Sequence, residues 1–275
     1  MEHSSKNSAV LSIAGSDSGG GAGIQADLRT FAAHGLFGCT AITAVTAQNT
    51  VGVRAFEGVS PALVEAQIAA VMEDLPVAAA KTGMLASSRI VEAVARAWAP
   101  YAHLPLVIDP VMVATSGDAL LATSAVDALV DRLFPLASVL TPNIPEAEAL
   151  LGRALGGDPS EAADELSRFA PRAAVVIKGG HAASPELASD WVRLPSGEAF
   201  WLHAPWIDTR STHGTGCTFS AAIAARLALG DELEAAIRSA KRFISGALRH
   251  ASPMGRGHGP VNHLWRLGIA DEDRG

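Results

Sequence analysis

The feature that most constrains this chain is a regular exchange between two hydrophobic periods. Short apolar runs of strand length alternate with longer segments patterned at helical spacing. Residues 9–14 read as a buried strand. Residues 21–34 read as a helix with Ile24, Leu28 and Phe31 on one face and Gly35 just past its end. Residues 39–46 read as a second strand, and 61–75 as a helix with Ser60 as N-cap and Pro61 at the first position. Strands over 77–82, 104–109, 138–141 and 173–178 then alternate with helices over 88–99, 124–134, 145–151 and 160–169. Residues 191–194 and 199–203, separated by Pro195-Ser196-Gly197, read as a β-hairpin. Helices over 216–229 and 231–250 close the pattern. This order predicts an α/β fold with a mostly parallel sheet and helices on both faces. No repeat or Pro/Gly linker divides the chain, which predicts one domain over 1–275 with residues 1–8 as a disordered tail.

Composition narrows the function classes. The 275 residues are 49% hydrophobic and 18% charged, which excludes a disordered chain and allows a deep site. A net charge of −7 argues against nucleic acid or an anionic membrane, since both need a basic face. No apolar run approaches the roughly 20 residues of a membrane helix. The stretch from Ala9 to Gly15 is too short for a secretory signal and runs into Asp17. Cys39 and Cys217 lack CxxC spacing, so neither a Cys-rich metal site nor a disulfide framework is expected. These features predict a cytoplasmic protein.

Ligands of such sheets bind beyond the carboxyl ends of the strands. Six polar or glycine-rich clusters fall there: 16–21, 48–50, 82–84, 109–111, 141–143 and 178–180. Gly21-Ala22-Gly23-Ile24-Gln25-Ala26 fits the form G-x-G-x-x-A, but no acid stands between Leu28 and Phe56 to hold a ribose. The plainer reading is a turn joining strand to helix. None of the lysines (Lys6, Lys81, Lys178, Lys241) follows a glycine, so a Walker P-loop is excluded. The nine histidines form no H-x-x-x-H pattern, and G-x-S-x-G is absent. His258, in Gly257-His258-Gly259-Pro260, reads as a turn residue.

Thr212-His213-Gly214-Thr215-Gly216-Cys217-Thr218 places two glycines at the start of an apolar helix. Free N–H groups and the helix dipole favour an anion there, and a transferring phosphoryl group gains most from such donors. Cys217 sits in the first turn, a position expected to lower a thiol pKa and to make a thiolate base possible near neutral pH; a small buried cysteine is the alternative. Asn143 and Glu146 have capping-box spacing, or could hold hydrated magnesium. Lys178 closes a strand where an ammonium could reach a phosphate. Asp109 before a proline is a turn residue or a metal-side carboxylate. Gln48 and Asp27 could cap turns or pair with a heterocycle.

Taken in order, these blocks resemble the hydroxymethylpyrimidine/phosphomethylpyrimidine kinases of thiamine biosynthesis, within the ribokinase-like family. The residues are 13–28, 46–50, 81–84, 109–112, 141–146, 178–181, 213–218 and 257–260, nearly end to end. The resemblance implies a ribokinase-like three-layer sandwich with a mostly parallel central sheet of about eight strands. It implies ATP and Mg2+ as cofactors and two ATP-dependent transfers, first to a hydroxymethyl group and then to its monophosphate. Gly214, Thr215 and Gly216 would form the anion hole, with Cys217 in the base position and Lys178 on the nucleotide phosphates. Gln48 would read the pyrimidine edge, with Gly15, Asp27, Met84 and Val111 lining that pocket. Asn143 and Glu146 would stand on the magnesium side, with Asp109 nearby. A homodimer is implied. Thr115 stands where a lysine is common in the family, which bears on the relative rates of the two steps. The rival readings are a pyridoxal or pyridoxine kinase and a non-catalytic binding protein on the same fold.

Overall fold

A computed structural model describes residues 8–112, 125–156, 158–180 and 186–267. The expected tail, Thr115 and His181 lie outside the described residues.

Eight strands form the central sheet: β1 (Ala9–Ala14), β2 (Phe37–Ile42), β5 (Val77–Thr82), β6 (Leu106–Ile108), β7 (Val139–Leu140), β8 (Ala174–Gly180), β9 (Leu187–Arg193) and β10 (Ala199–Pro205), with β3 (Ala44–Asn49) and β4 (Gly52–Gly58) in a separate pair. The spatial order is β10-β9-β8-β7-β6-β5-β1-β2. Strands from β2 across to β8 run parallel, and β9 and β10 add an antiparallel edge.

Alternation along each strand supplies two cores. Leu11, Ile13, Leu106, Ile108, Val175 and Ile177 point to one face, while Val10, Val107, Ala174 and Val176 point to the other. The first face carries α2 (Pro61–Asp74), α3 (Ser88–Trp98), the short α4 (Ala125–Ala128) with its wide following turn Leu129–Leu133, α5 (Ile144–Leu151) and α6 (Pro159–Phe169). The second carries α1 (Gly23–Ala33), α7 (Thr215–Ala228) and α8 (Leu233–Arg249). The layers are therefore helix, sheet, helix. N-caps open two of these helices: Ser60, as expected from sequence, accepts from Leu63 N–H, and Ser87 accepts from Ile90 N–H.

One expected strand divides. Residues 39–46 do not run as one element. β2 ends at Ile42, and Thr43 donates its backbone N–H to Ala14 and its hydroxyl to the Met84 carbonyl. The chain then leaves the central sheet as β3 (Ala44–Asn49), which pairs antiparallel with β4 (Gly52–Gly58). Continuous apolar character hid this break, because it arises from tertiary hydrogen bonds. β4 is mostly exposed and carries little apolar patterning, so it gave no strand signal. The strands at 104–109 and 138–141 shorten to Leu106–Ile108 and Val139–Leu140, while the hairpin strands lengthen to Leu187–Arg193 and Ala199–Pro205. The small β3–β4 sheet carries Gln48, which lines the cavity described next.

Candidate active site

A cavity of about 690 Å3 opens beyond the carboxyl ends of β1, β5, β6 and β8. It brings together Gly15, Gln48, Met84, Asp109, Val111, Asn143, Glu146, Lys178, Gly214, Thr215, Gly216 and Cys217. Of the residues singled out from sequence, Asp27 alone stays out of the lining. Its carboxylate is fully buried beneath the floor, accepting from Ser12 Oγ at 2.5 Å and from Lys81 Nζ at 3.0 Å. Burial disfavours the Lys81 ammonium, but the Asp27 carboxylate beside it and the nearby Asp109 hold its pKa above the ordinary value.

The loop after β1 is organised by Asp17, which is buried. Its carboxylate accepts backbone N–H groups from Gly19 at 2.8 Å, Gly21 at 2.9 Å and Ala22 at 2.8 Å, and contacts His213 Nε2 at 2.8 Å. Burial opposes its ionisation, yet the His213 and backbone bonds outweigh it and keep the carboxyl below the usual range. Two of these N–H groups, those of Gly21 and Ala22, belong to the G-x-G-x-x-A segment and are held by Asp17 within the protein.

The glycine-rich turn meets the α7 N-terminus backbone to backbone. Gly214 takes a left-handed φ of 80°, and a Cβ there would lie 1.8 Å from the Gly21 carbonyl oxygen. A Cβ on Gly21 would in turn strike His213 at 2.4 Å. Residues 214–217 therefore line the cavity with the first turn of a 14-residue helix, whose leading N–H groups have no intrahelical acceptor.

Lys178 lies beside this turn. Its Nζ is 2.8 Å from Asp109 and 4.0 Å from Glu146. Asp109 also accepts from Thr141 Oγ1 at 3.0 Å and Ser220 Oγ at 3.2 Å. Burial works against the Asp109 carboxylate, but Lys178 and Lys81 hold its pKa below normal. Glu146 and Asn143 form a capping box, with Asn143 N–H on Glu146 at 2.8 Å and Glu146 N–H on Asn143 at 2.8 Å. Burial pushes the Glu146 carboxyl up to about 7 despite Lys178. Asp109 and Glu146 present carboxyl oxygens beside Lys178, and oxygen donors of this kind suit a hydrated divalent cation carried by phosphates.

Cys217 overturns one expectation. Its thiol is pushed up to about 11, first by burial, with the Asp27 and Asp109 charges adding to it. Lys81 and a hydrogen bond from Gly23 N–H act the other way and do not compensate. Burial thus opposes a thiolate at Cys217 even though the residue stands in the first turn of a helix.

On one side of this centre, Met84, Val111, Ala44 and Val53 pack into a small apolar cluster, with Gln48 above it. Gln48 Nε2 lies 3.5 Å from His213 Nε2, and its Oε1 lies 3.4 Å from Thr46 Oγ1. On the other side, Pro205, Trp206, Ile207, Ile244 and Leu248 form an apolar wall.

Comparison with known proteins decides the family. The model for phosphomethylpyrimidine kinase matches residues 17–262. The chain belongs to the phosphomethylpyrimidine kinase family. It is 51% identical over 258 residues to a hydroxymethylpyrimidine/phosphomethylpyrimidine kinase of Haemophilus influenzae, covering 92% of this chain and 96% of that one. Among solved structures it is similar to an ADP complex of Bacillus subtilis pyridoxal kinase, with a TM-score of 0.85 and 38% identity over 96% of this chain and 100% of that one. A phosphomethylpyrimidine kinase from Clostridium difficile 630 aligns with a TM-score of 0.73 and 40% identity, over 86% and 97%. The fold is the ribokinase-like α/β sandwich expected from sequence.

Three site features escaped sequence reasoning. Asp17 had a signal, since Asp followed two residues later by Gly marks a side chain that gathers loop N–H groups. His213 stood beside the glycine pair without a role. Lys81 sits in the otherwise apolar run Val77-Ala78-Ala79-Ala80, and a lysine there needs a buried partner. His258 is an exposed turn residue, 3.1 Å from Thr212 Oγ1.

Proposed function

We propose that this kinase transfers the γ-phosphoryl group of ATP to the hydroxymethyl group of 4-amino-5-hydroxymethyl-2-methylpyrimidine, and then to the resulting monophosphate, in thiamine biosynthesis. The observation that carries the reading is the two-sided cavity. An apolar pocket with one amide, Gln48, and a longer apolar wall at Trp206 meet at the α7 N-terminus beside Lys178. A flat aminopyrimidine needs apolar faces and an amide at its edge, and a nucleotide needs the longer half.

The chemistry asks for alignment and charge rather than a strong base. The N–H groups at Gly214, Thr215 and Gly216 receive the transferring phosphoryl oxygens, and Lys178 faces the nucleotide phosphates. Gln48, Gly15, Met84 and Val111 hold the ring. Asp27 acts from below by fixing Lys81. Cys217, as a thiol, orients the substrate hydroxyl, whose proton passes late, in a loose transition state, to an oxygen of the transferring phosphoryl group. Asn143 and Glu146, with Asp109 behind Lys178, would hold magnesium, which screens phosphate charge when bound. The same resemblance carries a single domain over 1–275, a cytoplasmic location and a homodimer. No described helix is long and apolar enough to cross a membrane.

The relatives named pyridoxal kinase keep vitamin B6 alcohols as the competing substrate. The test is a coupled ADP-release assay with Mg-ATP on hydroxymethylpyrimidine, its monophosphate and pyridoxine. Turnover of both pyrimidines well above pyridoxine is expected. Turnover of pyridoxine alone would overturn the assignment, and no turnover with any of the three would point to a binding protein.

A further inference from the structure

A second concavity of about 380 Å3 lies between β10 and α8, sharing Pro205, Lys241 and Ser245 with the large cavity. Arg238, Arg242, Ser245 and Arg249 follow one another along α8 at spacings of four, three and four residues, with Lys241 beside Arg242, and all five line the groove. His203 of β10 faces them. No carboxylate lines this groove among the described residues.

Two of its cations are already balanced. Lys241 Nζ is 2.6 Å from Asp190, and Arg238 is 2.6 Å from Glu234 while its guanidinium lies over the Phe200 ring. Arg242 and Arg249 have no carboxylate partner among the described residues. Like charges at helical spacing, such as Arg238 and Arg242, cost a helix stability, and an anion seated beside Arg242 and Arg249 would offset that repulsion.

We propose that this groove is a binding site for a small phosphate-bearing anion of the diphosphate class, distinct from the nucleotide phosphate site. Guanidinium groups match phosphate oxygens in pairs, and two free guanidiniums beside a shared ammonium suit two linked phosphates. The size of the hollow admits a small molecule. The net charge of −7 around it disfavours a long polyanion such as RNA. The site borders the nucleotide cavity through Lys241. The Asp190 that pairs with Lys241 also accepts Gly179 N–H at 3.0 Å, one residue after Lys178.

The experiment is calorimetric titration of the full chain with inorganic pyrophosphate, in magnesium-free buffer with ADP held at saturation. The wild type is expected to bind one pyrophosphate per chain with ADP in place. The variant Arg242→Ser/Arg249→Ser is expected to bind it at least tenfold more weakly, with ADP affinity and turnover unchanged. Both positions are exposed helix residues, so the variant folds, and its thermal transition checks this. Complete displacement of pyrophosphate by ADP would show that the anion enters only the nucleotide site. Equal binding by wild type and variant, or none by either, would equally overturn the proposal. None of these outcomes depends on which alcohol the kinase phosphorylates.

Discussion

Asp17 and His213 stand 196 residues apart in the chain, and His213 Nε2 is 2.8 Å from the Asp17 carboxylate. This contact fastens the loop after β1 to the loop before α7. The same carboxylate gathers three backbone N–H groups of its own loop. Asp17 thus helps to set the position of the first turn of α7 relative to the loop after β1.

Asp17→Asn tests that dependence. An asparagine keeps the shape but offers one carbonyl oxygen where two carboxylate oxygens accepted four donors, and its NH2 faces N–H groups. Leaving buried donors unpaired costs roughly 1–3 kcal/mol each. A loss of about 3 kcal/mol in denaturant unfolding is expected, together with a fall of at least tenfold in kcat/KM. A variant of wild-type stability would mean that the loop is held by other contacts.

Cys217→Ser separates a positioning thiol from a thiolate base. The thiol is pushed up to about 11 by burial, so it carries no charge at the pH of the assay. Serine preserves a neutral hydrogen-bonding group but ionises far less readily. If Cys217 orients the alcohol, kcat should stay within about tenfold of wild type. A base would lose roughly 10²–10⁴-fold, and a drop of that size in the serine variant would restore the base role.

The extent to which this site was legible from sequence follows from how local each signal is. The Gly214–Gly216 turn, Lys178 and the Asn143–Glu146 pair announced themselves, because glycine before an apolar helix and a cap at i, i+3 are short-range patterns. The capping box indeed forms. The break at Thr43 and the pairing of β4 are long-range, fixed by contacts to Ala14 and Met84, and no local period encodes them. The family resemblance puts Asp27 in the ring pocket, and nothing local in its sequence opposes that. Its partner, Lys81, is 54 residues away and pulls it under the floor. The thiol pKa of Cys217 was misjudged for a similar reason. The helix N-terminus is visible in sequence, whereas burial and the flanking carboxylates are not.

Gln48→Ala addresses ring recognition. Gln48 lines the cavity from β3, far from the wall at Trp206. Removing its amide should raise the KM for hydroxymethylpyrimidine at least tenfold, since a ring edge that loses its partner is left unpaired. ADP affinity by calorimetry should not change. An unchanged pyrimidine KM would place the edge contact on another residue.

The Lys81–Asp27 pair should show the asymmetry of buried charges. Both side chains are fully buried, with Nζ and the carboxylate 3.0 Å apart. Lys81→Met alone strands the Asp27 carboxylate and is expected to cost about 3–5 kcal/mol. Replacing both, as Lys81→Met with Asp27→Leu, should recover most of that stability, because no unpaired charge remains. Because Lys81 lines the cavity while Asp27 does not, the double variant should remain impaired in turnover. Full activity in the double variant would reduce the pair to a packing role.

His263 gives the fold an acid-sensitive point outside the cavity. It is 3% exposed and its Nε2 lies 3.0 Å from Thr218 Oγ1 on α7. Burial, helped by Arg29, lowers its pKa to about 4 from the ordinary 6.5. The folded protein therefore holds a neutral ring that the unfolded chain would protonate. Above pH 6.5 both states are neutral and this residue adds no pH dependence. Between that value and about 4 the unfolded state binds more protons, so stability falls as the pH falls. The full effect is on the order of 3 kcal/mol, from about 1.4 kcal/mol per unit. His263→Gln keeps a polar group for Thr218 but cannot titrate. Urea unfolding at several pH values should therefore show a shallower loss of stability between pH 6.5 and 4 in the variant than in the wild type. Parallel curves would assign the acid sensitivity to other groups.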